Sequence, residues 1–395
     1  MNSTLRQFRD FFVSLQLTVV LLIMSIILVF VATLDQVNLG IWAVQMKYFR
    51  SFAVLWQVPN TSIAIPVFPG GYFIGGLLLI NLVAAHVYRF SLTWKKFGIQ
   101  LTHAGLIVLL IGELVTGLLQ EDSYLRMDEG ETKRYSESFN ANELVFIDHS
   151  NADYNEVIAI PEGLVADQKS IQHPRLPFRI NIKAFHPNSM LEMRNQSVAA
   201  MAAPALATAG HGTQLAMLPL PMTYKPKERN VPGAYVEIVT LEGTLGTWLA
   251  SPLLNQPQTF TYDGKTWELS FRGKRHYNHF TLQLLKFSHD KYPGTEIPRN
   301  FSSHVRLRSD DGAEDREILI FMNNPLRFGG LTFYQAGFDN NDTTTILQVV
   351  RNPSWLLPYI ATIMMGLGLC VQFAYSLGDF IRKRTAVTKS APASA

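Results

Sequence analysis

Two histidines, His86 and His103, lie inside apolar stretches of this 395-residue chain. Neutral imidazole ligates iron, haem iron included, without carrying a buried charge, and ionisable groups within a membrane default to functional candidates. The plainer reading is a hydrogen bond across a helix bundle or a contact with lipid headgroups. For His103 alone the two readings stand level. The pair favours iron, because the midpoint of positions 86 and 103 falls between Trp94 and Lys95, in a short turn. An antiparallel helical hairpin then sets both imidazoles about 12 Å from that turn, at about 1.5 Å per residue. Spacing leaves open whether both bind one iron, or one binds together with a ligand from another protein.

Other groups carry less. Glu113, ten residues beyond His103, is either a proton or cation site or a carboxyl at the membrane interface. His276 and His279, in RHYNHF, point to opposite faces of a strand and so make no zinc site; His211, in its loop, is no stronger. The lone Cys370 rules out an intramolecular disulfide, a CxxC redox pair, a multi-cysteine zinc site and a CxxCH haem site. No nucleophile elbow, phosphate loop or HExxH motif is present, so hydrolytic machinery is missing, and no catalytic residue is assigned. Haem iron, through His86 or His103, is the one metal the residues suggest.

The elements that must hold these residues are membrane helices. Hydrophobic residues make up 48% of the chain and charged residues 16%, well below the roughly 25% charge of soluble domains, and the mean hydropathy is +0.10. Four apolar runs reach the about 20 residues needed to cross a hydrocarbon core: 15–34, 71–90, 99–119 and 355–375. The first exceeds the apolar core of a signal peptide and is read as an anchor. Arg6, Arg9, Arg89, Lys95, Lys96, Arg382, Lys383, Arg384 and Lys389 flank the spans on one side, against Lys47 and Arg50 in the first connection. By the positive-inside rule both termini are cytoplasmic and residues 120–352 lie outside. That segment holds 23 basic and 27 acidic residues, so the net charge of +3 belongs to the membrane flanks and a nucleic-acid partner loses its support.

Residues 120–352 read as a large β-rich extracytoplasmic domain between the third and fourth helices. Short β-branched and aromatic runs alternate with Gly, Pro, Asp and Asn, which predicts an antiparallel sandwich or distorted barrel. Tyr262-Asp263-Gly264-Lys265 and Asp310-Asp311-Gly312 predict hairpin turns. Residues 197–222, rich in Ala, Met and Pro, predict a flexible, membrane-skimming insertion. Residues 41–56, with Trp42, Tyr48, Phe49, Phe52 and Trp56 beside Lys47 and Arg50, predict an interfacial helix.

Two outer runs go beyond physical pattern: YPGTEIPRNFSSHVRL from Tyr292 to Leu307 and MNNPLRFGGLTFYQAGF from Met322 to Phe338. With the layout of spans they resemble the ResB-like family of cytochrome c biogenesis proteins, of the System II type. The resemblance implies a location in the bacterial cytoplasmic membrane and a CcsA/ResC-type multi-span partner. It implies that the pair carries non-covalent haem b across the membrane to apocytochrome c, as a subunit of a haem lyase complex rather than an enzyme alone. A membrane histidine of the family ligates haem, and His86 matches best, with His103 as the alternative. A scaffold or apocytochrome chaperone that binds no haem is the competing function. A transporter subunit, resting on Glu113 and Asn81, lacks the inverted repeats such proteins carry.

Overall fold

The computed structural model describes residues 3–58, 63–88, 93–151, 154–194, 206–223, 229–254, 256–294, 298–339 and 343–390. These form two compact units. One is helical, from residues 1–121 and 352–395; the other is made of β-strands and draws on 122–351.

The helical unit contains α1 (Ser3–Phe12), α2 (Leu15–Val44), α3 (Gly71–Tyr88) and α4 (Phe97–Leu119), and its last helix is Leu357–Ser390. Among the described residues, four stretches are long and apolar enough to cross a membrane: Leu15–Ile41, Gly71–Tyr88, Phe97–Leu119 and Leu357–Thr385. They match the four expected spans, with the first and last longer than expected because polar residues are tolerated once a helix leaves the hydrocarbon. Large apolar side chains such as Ile26, Phe30, Ile363 and Phe373 are exposed along them, as lipid-facing residues are. α1 and α2 break at Val13 and Ser14. Asn81 of α3, only 2% exposed, fills the break: its amide donates to Phe12 O at 2.8 Å and Ser14 O at 3.1 Å, and accepts from Thr18 Oγ1 at 2.6 Å. The polar group that hinted at transport is therefore a tether for carbonyls at the break.

α4 packs against the last helix through a seven-residue series of glycines. A Cβ on Gly98 would stand 2.6 Å from Gly368 O, one on Gly105 2.9 Å from Ala361 O, and one on Gly112 2.9 Å from Leu357 Cβ. As positions rise on one helix they fall on the other, so the helices are antiparallel. Bare glycines let the backbones approach, the usual device where lipid removes the hydrophobic drive for helix association. Ser354 Oγ closes the end of the seam, hydrogen-bonded to Thr116 Oγ1 at 2.7 Å.

The interfacial helix expected over 41–56 is formed only over 41–49, beyond a kink, and its remainder is replaced by strand. α2 kinks at Gly40, whose φ is +77°, runs to Val44, and ends in a π-turn, Gln45–Phe49. An antiparallel hairpin follows, Ala53–Gln57 against Ala64–Pro69. Pro66 and Pro69, with the β-branched residues around them, favour strand over helix. Lys47 and Tyr48 turn inward, both bonded to Asp35 Oδ2 at 2.8 and 2.7 Å.

The β-rich unit follows α4 in the chain. Its large sheet runs, in spatial order, Asp315–Phe321, Pro298–Ser309, Lys265–Lys291, Thr132–Asp148, Glu121–Asp128, Thr344–Arg351, Leu331–Asp339 and Leu326–Phe328, with Gln258–Tyr262 and Glu156–Pro161 paired alongside. A second sheet runs Thr244–Ala250, Gly233–Val239, Arg179–His186 and Ser170–Ile171. The long strand Lys265–Lys291 feeds two cores through period-two alternation. Trp267, Leu269 and Phe271 face the second sheet, packing with Phe146, Phe178 and Trp248. Phe280, Leu282 and Leu284 enter a separate core with Val305, Phe333 and Leu347. The turn at 262–265 has Asp263 and Gly264 at φ +54° and +70°, the geometry of a two-residue hairpin turn.

The insertion expected at 197–222 is corrected over its described part; 197–205 lie outside the described residues. Gly210–Thr213 makes one turn of 3-10 helix, and Leu215–Pro219 pairs with Ser189–Met193. Ala207 and Met217 are buried with Tyr235 and Leu249. Small Ala and flexible Met fill a gap over the second sheet rather than skim a membrane.

Candidate functional site

His86 lies two residues before the described end of α3 and His103 six residues after the start of α4. Counted from those described ends they stand about 3 and 9 Å into their helices. α3 packs against α4, which keeps both residues at one end of the helix pair. His86 is half-buried and His103 exposed. The physical reason for that exposure is the glycine seam. Gly98 and Gly105 turn one face of α4 to the last helix, and at 100° per residue His103 falls on the far face.

Aromatic rings gather at the same end. Tyr88 closes α3, Trp94 lies in the connection and Phe97 opens α4; Trp94 is 85% exposed. Trp94 and Phe97 stand 6.2 Å apart, and the Arg9 guanidinium lies 5.6 Å from the Tyr88 ring centre. The imidazole nitrogens at this end of the helix pair lie beside flat apolar ring surfaces. Among the described residues no group of three or more His, Cys, Asp or Glu is placed to hold a metal ion.

Glu113 stands apart from the histidines. It is exposed and lines a cleft of about 370 Å³ with Arg50, Tyr72, Gly75, Gly76 and Leu110. The floor is open because a Cβ on Gly75 or Gly76 would touch nothing within 4 Å. In the β-rich unit His276 lies in strand opposite Ser136, and His279 lies in the same strand. His211 sits in the 3-10 turn. None of these histidines joins a ligand cluster.

Sequence reasoning missed two features: the Asn81 tether and the glycine seam. The second had a legible signal in glycines at 98, 105 and 112, one per two helical turns. Asn81 gave no such signal, since its partners are main-chain carbonyls exposed by a helix break.

Comparison with known proteins reaches part of the chain. Residues 256–346 match the ResB-like family, a stretch that contains both runs, Tyr292–Leu307 and Met322–Phe338, on which the resemblance was read. A 121-residue stretch is 33% identical to Protein NrfI of Wolinella succinogenes. That stretch is 31% of this chain and 13% of that protein.

Proposed function

We propose, from the ResB-like segment at 256–346 and the paired imidazoles, that this chain works in cytochrome c biogenesis as a haem-handling subunit. It acts with a CcsA/ResC-type multi-span protein in a bacterial cytoplasmic membrane, takes haem b as cargo, and presents it to apocytochrome c. Both termini are cytoplasmic in this reading, and the β-rich unit is outside.

One observation carries the proposal: two histidines lie at the same end of adjacent spans, an end rimmed by exposed Tyr88, Trp94 and Phe97. A neutral imidazole supplies a lone pair to iron, and haem bound there gives the cargo a fixed axial handle. His103, turned away from the last helix, offers its ring to a partner helix or to cargo entering from the bilayer. His86, half-buried, is the better-held ligand, because packing restricts its ring. Tyr88, Trp94 and Phe97 provide apolar faces against which a macrocycle excludes water.

A second reading, a scaffold or apocytochrome chaperone, draws on the strand Asp315–Phe321, which pairs on one side only within the large sheet. Its outer edge, beyond the end where Leu319 and Phe321 bond to Asn324, offers backbone groups to an extended peptide. The absorption spectrum of the detergent-purified protein, co-expressed with its partner, separates the readings. The haem Soret band is expected to be lost or shifted in His86→Ala or His103→Ala. A band unchanged in both single variants and in the double variant would move haem to the partner and leave this chain a scaffold.

A further inference from the structure

The strands Lys265–Lys291 and Thr132–Asp148 lose register at one place. Gly273 pairs with Asn142, and the next pair is Arg275 with Glu137, so Lys274 stands opposite residues 138–141. Bulges of this kind re-aim side chains and gather at functional sites. This one falls between the two cores, and a cleft of about 350 Å³ opens beside it.

Three arginines line the cleft: Arg229, Arg272 and Arg275. Glycine is required at 273, since a Cβ there would stand 2.8 Å from Ser138 O and 3.8 Å from Arg229 Nη2. The carboxylates nearby are already engaged. Glu137 accepts from Arg275 Nε at 2.8 Å, Glu143 from Arg272 Nε at 3.1 Å, Glu162 from Asn142 at 2.7 Å, and Glu268 pairs with His149 at 2.9 Å. Arg229 spends Nη2 on Asn142 Oδ1 at 2.7 Å. What remains unspent lies on the cationic side. Arg229 Nε and Arg272 Nη2 are shut off from solvent, with no acceptor among the described residues. Buried guanidinium donors without acceptors are costly, so such a pair marks a place that an incoming acceptor completes. Burial also holds the Arg229 pKa below its ordinary value, against the pull of Glu137 and Glu162, and an anion would relieve that strain.

We propose that this cleft binds a carboxylate through the guanidinium groups of Arg229 and Arg272, which line it and turn their enclosed Nε and Nη2 donors to the ligand. Guanidinium groups match the planar, two-oxygen geometry of a carboxylate. Leu254 and Pro257 in the wall give an aliphatic stem an apolar surface. Glu137 and Glu268 also line the cleft, so a carboxylate group, which puts one charge at the arginines, fits the local field better than a phosphate, which puts two. The carboxylate comes either from a porphyrin propionate arm or from a free dicarboxylic acid.

The test uses the full chain in detergent with two probes: succinate, and metal-free mesoporphyrin IX with its dimethyl ester as control. Neither probe carries iron, so the result is independent of ligation by His86 or His103. Porphyrin diacid that binds at least tenfold more weakly to Arg229→Gln, with the diester not bound, supports the site and the propionate source. Succinate binding that is lost in Arg229→Gln, without porphyrin binding, supports the site and the free acid. Binding of both probes unaffected by Arg229→Gln and Arg272→Gln, or equal binding of diester and diacid, overturns it. Should the variants fail to fold, wild type answers alone: succinate is expected to slow phenylglyoxal modification of Arg229, read by mass spectrometry, and unslowed modification overturns the site.

Discussion

Replacing Gly98 by alanine should separate α4 from the last helix. The added Cβ would meet two main-chain atoms, Gly368 O and Gln372 N, both at 2.6 Å. That is about 0.8 Å closer than the 3.4 Å at which ordinary contact begins. Neither atom belongs to a side chain that can rotate away, so the helices must move apart, and a forced insertion of this size costs about 1–3 kcal/mol. Gly76→Ala is the matched control. Its Cβ would touch nothing within 4 Å, and alanine gains about 1 kcal/mol of helix propensity over glycine. Gly98 is helical too and gains the same propensity, so the two variants should differ by about 1–3 kcal/mol, with Gly98→Ala the weaker. Denaturation in mixed micelles, followed by tryptophan fluorescence, measures the difference. If Gly98→Ala unfolds at the same denaturant fraction as Gly76→Ala, the seam is not close-packed and the reasoning fails.

Two further outcomes follow from the same geometry. Asn81→Leu removes the donor to Phe12 O and Ser14 O and should cost about 1–2 kcal/mol, the range of a hydrogen bond between membrane helices; limited proteolysis is expected to cut sooner near residues 13–14, and unchanged cleavage would count against the tether. Asp148 is bonded to Lys265 at 2.6 Å and to Ser150, and these bonds hold its carboxyl down to about 2 from 3.8. A depressed folded pKa stabilises above the unfolded value, and the benefit is lost as pH falls through about 2. The melting temperature of wild type should thus fall from pH 4 toward pH 2 more steeply than that of Asp148→Asn, and parallel slopes would refute the assignment.

The four spans were legible because hydrocarbon admits only long apolar helices, so composition over about 20 residues is enough to find them. The strands were legible for a related reason: alternation at Trp267, Leu269 and Phe271 and the turn at Asp263-Gly264 are local signals. The ResB-like runs were likewise legible, and the match at 256–346 contains both. Local signals misled at residues 50–56, where aromatic and basic residues suggested that the helix of 41–49 continues. Asp35, twelve residues before Lys47, binds Lys47 and Tyr48, and the chain then turns into a hairpin. They misled again at 206–219, where Ala and Met looked like a mobile insertion until Tyr235 and Leu249 supplied a surface to fill.

Residue type and position named His86 and His103, but helix packing decided how they are presented. The sequence alone determined that two imidazoles occur near the turn of a membrane hairpin, because hydropathy and chain distance are properties of the chain itself. Only the tertiary structure decided that the glycine seam claims one face of α4 and leaves His103 on the other. Only it decided that a register slip at Gly273 brings Arg229, forty-four residues earlier, beside Arg272. Such placements depend on contacts between segments remote in sequence, and no local pattern of residues encodes them.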